Sequence, residues 1–94
     1  MKFSFVTIGE HLGTRQKGEQ VRSLLLEKIA NCDKVVLDFT GVQVVSNSFA
    51  DECFGKLLQS MSLDELKQKT TFVGLSDFAR KNIAVAIRRR LVMA

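Results

Sequence analysis

The residues of this chain that could do chemistry fall in a few short stretches. Gly13-Thr14-Arg15-Gln16-Lys17-Gly18 has the glycine spacing of a phosphate loop. A true P-loop continues after its second glycine with Lys and then Ser or Thr, which meet the phosphates and their magnesium. Here Glu19 and Gln20 follow, and Glu19 would repel a phosphate. Nucleotide hydrolysis is not expected. A simpler anion site remains open, with Thr14, Arg15 and the free amides of a helix start meeting one negative charge. The plain alternative is a turn with Arg15 and Lys17 in water.

The carboxylates Asp38, Asp51 and Glu52 are the next candidates. Paired acids can exchange protons or hold magnesium. Asp51 and Glu52, however, fall where a helix starts, and acids in a first turn are favoured by the helix dipole alone. Asp38 ends an apolar run, so a structural role is expected, with hydrogen bonds from the following loop toward Gly41 or Ser46. Cys32, Cys53 and His11 are too scattered for a zinc site. Cys53 falls on an apolar helix face, where a thiol is inert, and no nucleophile has a visible base. The expectation is a protein that is not an enzyme, with no metal and no cofactor.

The net charge of +4 comes from the last segment, where Arg80, Lys81, Arg88, Arg89 and Arg90 face only Asp77. Such a cluster can hold nucleic-acid phosphates. The competing reading, preferred here, is that Arg88–Arg90 complement the negative end of their own helix. Nucleic-acid binding is not the expected role.

The elements that must position these residues follow from hydrophobic period. Phe3–Ile8 alternates apolar and polar residues as a half-buried strand does. Thr14 can cap a helix over 15–31, with Val21, Leu24, Leu25 and Ile29 on one stripe. Lys34–Phe39 is a nearly continuous apolar run, as in a strand covered on both faces, and Val44-Val45 can extend the sheet. Ser48 is the expected N-cap of a helix over 49–61 that buries Phe49 or Ala50, Cys53, Phe54, Leu57 and Met61. Ser62-Leu63-Asp64-Glu65 reads as a capping box opening one helical turn. Thr70–Leu75 is a third strand. Ser76-Asp77 caps a last helix that buries Ala79, Ile83, Ala86, Ile87 and Leu91. The β-α-β-α-β-α order predicts an α/β domain with a single sheet of three to four mostly parallel strands.

Residues 1–94 are long enough for one domain only. The start carries no apolar signal segment, and no run approaches the ~20 apolar residues of a membrane span. A cytoplasmic protein, away from the membrane, is expected.

The stretch from Val35 to Leu58, with Leu37-Asp38-Phe39, Gly41-Val42, Ser46-Asn47-Ser48-Phe49-Ala50-Asp51-Glu52 and Phe54-Gly55-Lys56-Leu57, resembles small bacterial STAS-like domains of unknown function (the DUF4325 type). The loop Leu12-Gly13-Thr14-Arg15 with Gly18 also suits them. More distantly, the chain is similar to the STAS domains of anti-sigma factor antagonists, which are binding switches controlled by phosphorylation at a helix start. That resemblance implies a regulatory protein-binding module with Ser46, Asn47, Ser48, Phe49, Asp51 and Glu52 at the partner surface. It also implies a protein partner such as a histidine-kinase-type ATPase or another regulator. Asn47 falls on the phosphoacceptor position and cannot take a phosphate, which leaves Ser46 or Ser48 for that role. The alternative is an accessory module responding to nucleic acid or nucleotide through the basic C-terminal helix.

Overall fold

A computed structural model describes residues 1–93 of the chain. Strand β1 (Lys2–Ser4), β3 (Val35–Asp38) and β5 (Thr70–Val73) form a three-stranded parallel sheet with β3 at its centre. Lys2, Phe3 and Ser4 pair with Val36, Leu37 and Asp38, and Val35–Asp38 pair with Thr70–Val73. The apolar run reads as it does because both faces of β3 are covered, with Val35 and Leu37 fully buried and Val36 half-buried.

The first strand is shorter than its alternation implies. Phe5–Thr7 closes as a 3-10 turn, in which the Thr7 hydroxyl donates to the Ser4 carbonyl at 2.6 Å. Phe3 and Phe5 still point inward, with ring centroids 4.8 Å apart, so the burial pattern survives although the strand does not. The expected loop after it carries β2 (His11–Leu12), which pairs in parallel with β4 (Val44–Val45). The expected single sheet is therefore two separate ladders, and β4 pairs only with β2 instead of extending the three-stranded sheet.

Helix α1 (Arg15–Asn31) is capped by Thr14, whose hydroxyl accepts from the Lys17 amide at 3.1 Å. It buries Gly18, Val21, Leu25 and Ile29, while Leu24 faces outward. Helix α2 (Asn47–Cys53) is shorter than expected and gives way to a 3-10 turn over Gly55–Gln59. Its cap is Ser46, not Ser48. Helix α3 (Leu63–Lys69) starts at Ser62, whose hydroxyl accepts from the Glu65 amide at 3.2 Å. Helix α4 (Asp77–Met93) starts at Ser76, which accepts from the Ala79 amide at 3.1 Å. Its buried face is Ala79, Ile83 and Ala86, with Ile87 half-buried and Leu91 exposed.

Phenylalanine fills the centre. Phe5 and Phe39 stack at 4.0 Å, and Phe54 meets the edge of Phe72 at 5.4 Å. Phe5, Phe39, Phe49 and Phe54 are all fully buried. Large rings let a short chain bury much apolar surface per residue. Among the described residues, no helix is long and apolar enough to cross a membrane.

Candidate functional site

The candidate turn lies between β4 and α2, and it is held on three sides. Val45 pairs with Leu12 through the second ladder. The Asn82 side-chain amide of α4 donates to the Val45 carbonyl at 2.8 Å. The Ser46 hydroxyl donates to the Gly13 carbonyl at 2.9 Å while it accepts from the Phe49 amide at 3.0 Å. An N-cap worth about 1 kcal/mol thus also ties the turn to the loop ahead of α1.

The expected partner residues separate into outer and inner groups. Asn47 is exposed and Ser48 half-buried. Phe49 is fully buried against Phe54, with ring centroids 6.4 Å apart. This corrects its placement on a partner surface: its ring is core. Asp51 and Glu52 stand in the second turn of α2, too far along for the dipole argument to place them. Their positions are set by cations instead.

Arg90 lays Nε and Nη2 on Asp51 Oδ1 and Oδ2 at 2.8 and 2.6 Å. Arg15 Nη1 meets Asp51 Oδ2 at 2.9 Å and Glu52 Oε1 at 3.4 Å. Glu52 also takes Arg22 Nη1 at 2.8 Å on Oε2 and Lys56 Nζ at 3.1 Å on Oε1. Arg22 further donates to the Glu52 carbonyl. Arg90 with help from Arg15 outweighs burial and pushes the Asp51 carboxyl down to about 2. Burial alone would raise Glu52, but Arg22, Lys56 and Arg15 hold it below its ordinary value.

Two glycines admit these arginines. A methyl group on Gly18 would stand 2.9 Å from Glu52 Cβ and 3.1 Å from the Phe49 carbonyl oxygen. α1 therefore crosses α2 at closest approach there. Arg15 and Arg22, three residues before and four after Gly18, share its face and reach the acids. A methyl on Gly55 would stand 3.0 Å from both Arg90 Cγ and Asp51 Oδ1. Gly18 thus serves helix packing, with no part in a phosphate loop. The arginine-glycine-arginine spacing on α1 was the sequence signal for this network.

Thr14 and Arg15, read as an anion site, both have partners inside the fold: Thr14 caps α1 and Arg15 meets the two acids. The basic C-terminal run is divided. Arg90 turns inward, while Arg88 and Arg89 remain exposed. Arg90 is therefore not a solvated complement to its own helix end.

Asp38 stands apart from this cluster. Its Oδ1 accepts from the Thr40 amide at 2.9 Å, and Lys2 Nζ lies 3.1 Å from Oδ2. Thr40 first and Lys2 second push it down to about 2. The loop bonds expected of Asp38 are made, but by Thr40 in place of Gly41 or Ser46. Burial pushes the Cys53 thiol strongly up, Cys32 is half-buried, and His11 sits exposed on β2.

A family model described as a STAS-like domain of unknown function (DUF4325) matches residues 17–78, well over half of the chain. The chain belongs to that family. Comparison with the curated proteins and with the solved structures found no match to this chain. The matched part of this STAS-like domain takes in Gly18, Arg22, Asp51, Glu52 and Lys56, whereas Arg15 and Arg90 lie on either side of it. The outer two arginines close the network around a family segment.

Beside Asn47 the network opens into a groove of about 280 Å³, lined by Arg15, Asn47, Ser48, Asp51, Arg89 and Arg90. Chemically this is a cationic cleft edged by an amide and a hydroxyl. It lies on the outward side of the turn that β4, Asn82 and Ser46 hold fixed.

Proposed function

We propose that this STAS-like domain is a small cytoplasmic regulatory module that binds a protein partner and catalyses no reaction. Its docking face is the outward side of 41–48, with Arg15 beside it. One observation carries the reading: the turn is fixed from beneath by three separate contacts, while among the described residues the side chains of Asn47 and Ser48 make no hydrogen bond inside the fold. Val44 is 46% exposed and Asn47 lies in solvent. A surface already ordered loses little entropy on binding, which favours recognition. The resemblance to STAS switches, whose docking segment is the corresponding turn, supports the same face. It also supports a histidine-kinase-type ATPase as the class of partner.

Control by phosphorylation, if retained, falls to Ser48. Asn47 cannot take a phosphate, and the Ser46 hydroxyl is used twice within the fold. A phosphate on Ser48 would enter a groove it shares with Arg15 and Arg89. The like charges nearest to it, Asp51 and Glu52, are already neutralised. Phosphorylation would then act by occupying the cationic groove more than by repulsion.

The test is Asn47→Trp, which adds bulk at an exposed position whose side chain makes no hydrogen bond among the described residues. A native partner recovered with the wild-type chain and lost with the folded variant supports this face. Equal recovery with both removes it.

A further inference from the structure

We infer that the partner meets this domain with an acidic segment, whose carboxylates are taken by Arg15 and Arg89; the inference rests on the docking face proposed above and names the chemistry it selects. The groove beside Asn47 is lined by three arginines and one acid. That acid, Asp51, already has both oxygens bonded, Oδ1 by Arg90 and Oδ2 by Arg90 and Arg15. Arg90 is consumed in this pair. Arg15 is only partly consumed: both its bonds leave from Nη1, and its side chain is 54% exposed. Among the described residues its Nε and Nη2 donate to nothing, and Arg89 forms no ion pair.

Two guanidinium groups therefore open onto one side-chain-sized groove, with the Asn47 amide and Ser48 hydroxyl between them. Guanidinium forks match carboxylates in a planar, two-bond geometry. The network behind them fixes Arg15 from one side, so its remaining donors are pre-aimed. The complement is a segment rich in Asp or Glu. Nucleic acid fits less well, because it needs cations spaced along successive phosphates. The basic residues of α4 make no such stripe. Arg80 and Lys81 lie about 10–12 Å along the helix from Arg88, Asp77 stands beside them, and Arg90 is withdrawn into Asp51.

The experiment uses a fluorescent oligo-glutamate peptide, its oligo-glutamine counterpart and a single-stranded oligonucleotide as probes. Binding is read by anisotropy and mapped on the amide spectrum of the full chain. Arg89→Gln and Arg15→Gln are the variants. Among the described residues Arg89 has no ion pair to lose, and Asp51 and Glu52 keep Arg90, Arg22 and Lys56 when Arg15 is replaced. The expected result is that oligo-glutamate binds and oligo-glutamine does not, with shifts clustered at residues 15, 47, 48 and 89. Each variant should weaken binding about fivefold, the upper range for one exposed charge pair, and added salt should weaken it further. Unchanged affinity in both variants overturns the inference, as does tighter binding of the oligonucleotide than of oligo-glutamate. If oligo-glutamate fails to bind while Asn47→Trp still loses the native partner, the acidic segment is wrong and the docking face stands. If oligo-glutamate binds as expected while Asn47→Trp keeps the partner, the docking face is wrong and the groove's preference for carboxylates stands.

Discussion

Arg90 grips both oxygens of Asp51, at 2.8 and 2.6 Å, from 39 positions further along the chain. This bidentate pair fastens the last turns of α4 to α2, and Gly55 leaves the space for it. Each side chain is about four-fifths buried. Breaking a buried pair costs more than an exposed one, because the survivor keeps its desolvation penalty. Arg15 remains on Asp51 and softens the loss. Arg90→Ala should therefore lower stability by about 1–3 kcal/mol. Arg88→Ala and Arg89→Ala, on the exposed side, should stay within about 0.5 kcal/mol of wild type. Urea unfolding of the three variants provides the comparison.

Gly18→Ala tests the crossing of α1 and α2. In an isolated helix the change would stabilise by about 1 kcal/mol. Here the added methyl meets Glu52 Cβ at 2.9 Å and main-chain atoms of α2. None of these is the free end of a flexible side chain, so the two helices must separate. Overpacking of this kind costs about 1–3 kcal/mol and should outweigh the propensity gain. Thermal unfolding should show a lower midpoint, and a higher one would contradict the close contact.

The cap of α2 can be assigned by two serines. Ser46→Ala removes the bond from the Phe49 amide and the one to the Gly13 carbonyl, and should cost about 1–2 kcal/mol. Ser48→Ala should cost no more than about 0.5 kcal/mol. Equal losses would place the helix start elsewhere.

Acid should destabilise the domain through Asp38, Asp51 and Glu52. All three are held below their ordinary values in the folded state, the first two at about 2 against 3.8. The unfolded chain therefore binds more protons between these values. Stability from these groups is fully present above about pH 5 and is lost as pH falls toward about 2. Urea midpoints measured at neutral pH and near pH 3 should fall with acid. The fall should be shallower in Arg90→Gln, which removes the main cause of the Asp51 shift. An identical slope in that variant would show that Arg90 does not set it.

Much of the fold was legible because its signals are local. The apolar run of β3, the stripe of α1 and the caps at Thr14, Ser62 and Ser76 each lie within a few residues. The end of β1 was not, since Phe3 and Phe5 keep the strand period while Thr7 bends the chain. Nor was the choice among Ser46, Asn47 and Ser48. All three side chains suit an N-cap, and a contact with Gly13 decides for Ser46. The site was the least legible part. Asp51 and Glu52 look like ordinary surface acids because their arginine partners lie 30 to 39 positions away. Only Lys56 is at helical spacing from Glu52.

The central claim is that the outward side of the β4–α2 turn is where a protein partner docks. A photo-crosslinking residue placed singly at positions 44, 47 and 27 of the otherwise native chain tests this in its own cell. Glu27 is exposed on α1 and lies outside the groove. The expected result is one and the same crosslinked protein from positions 44 and 47, and none from position 27. Adducts from position 27 alone, or equally from all three positions, would contradict the account.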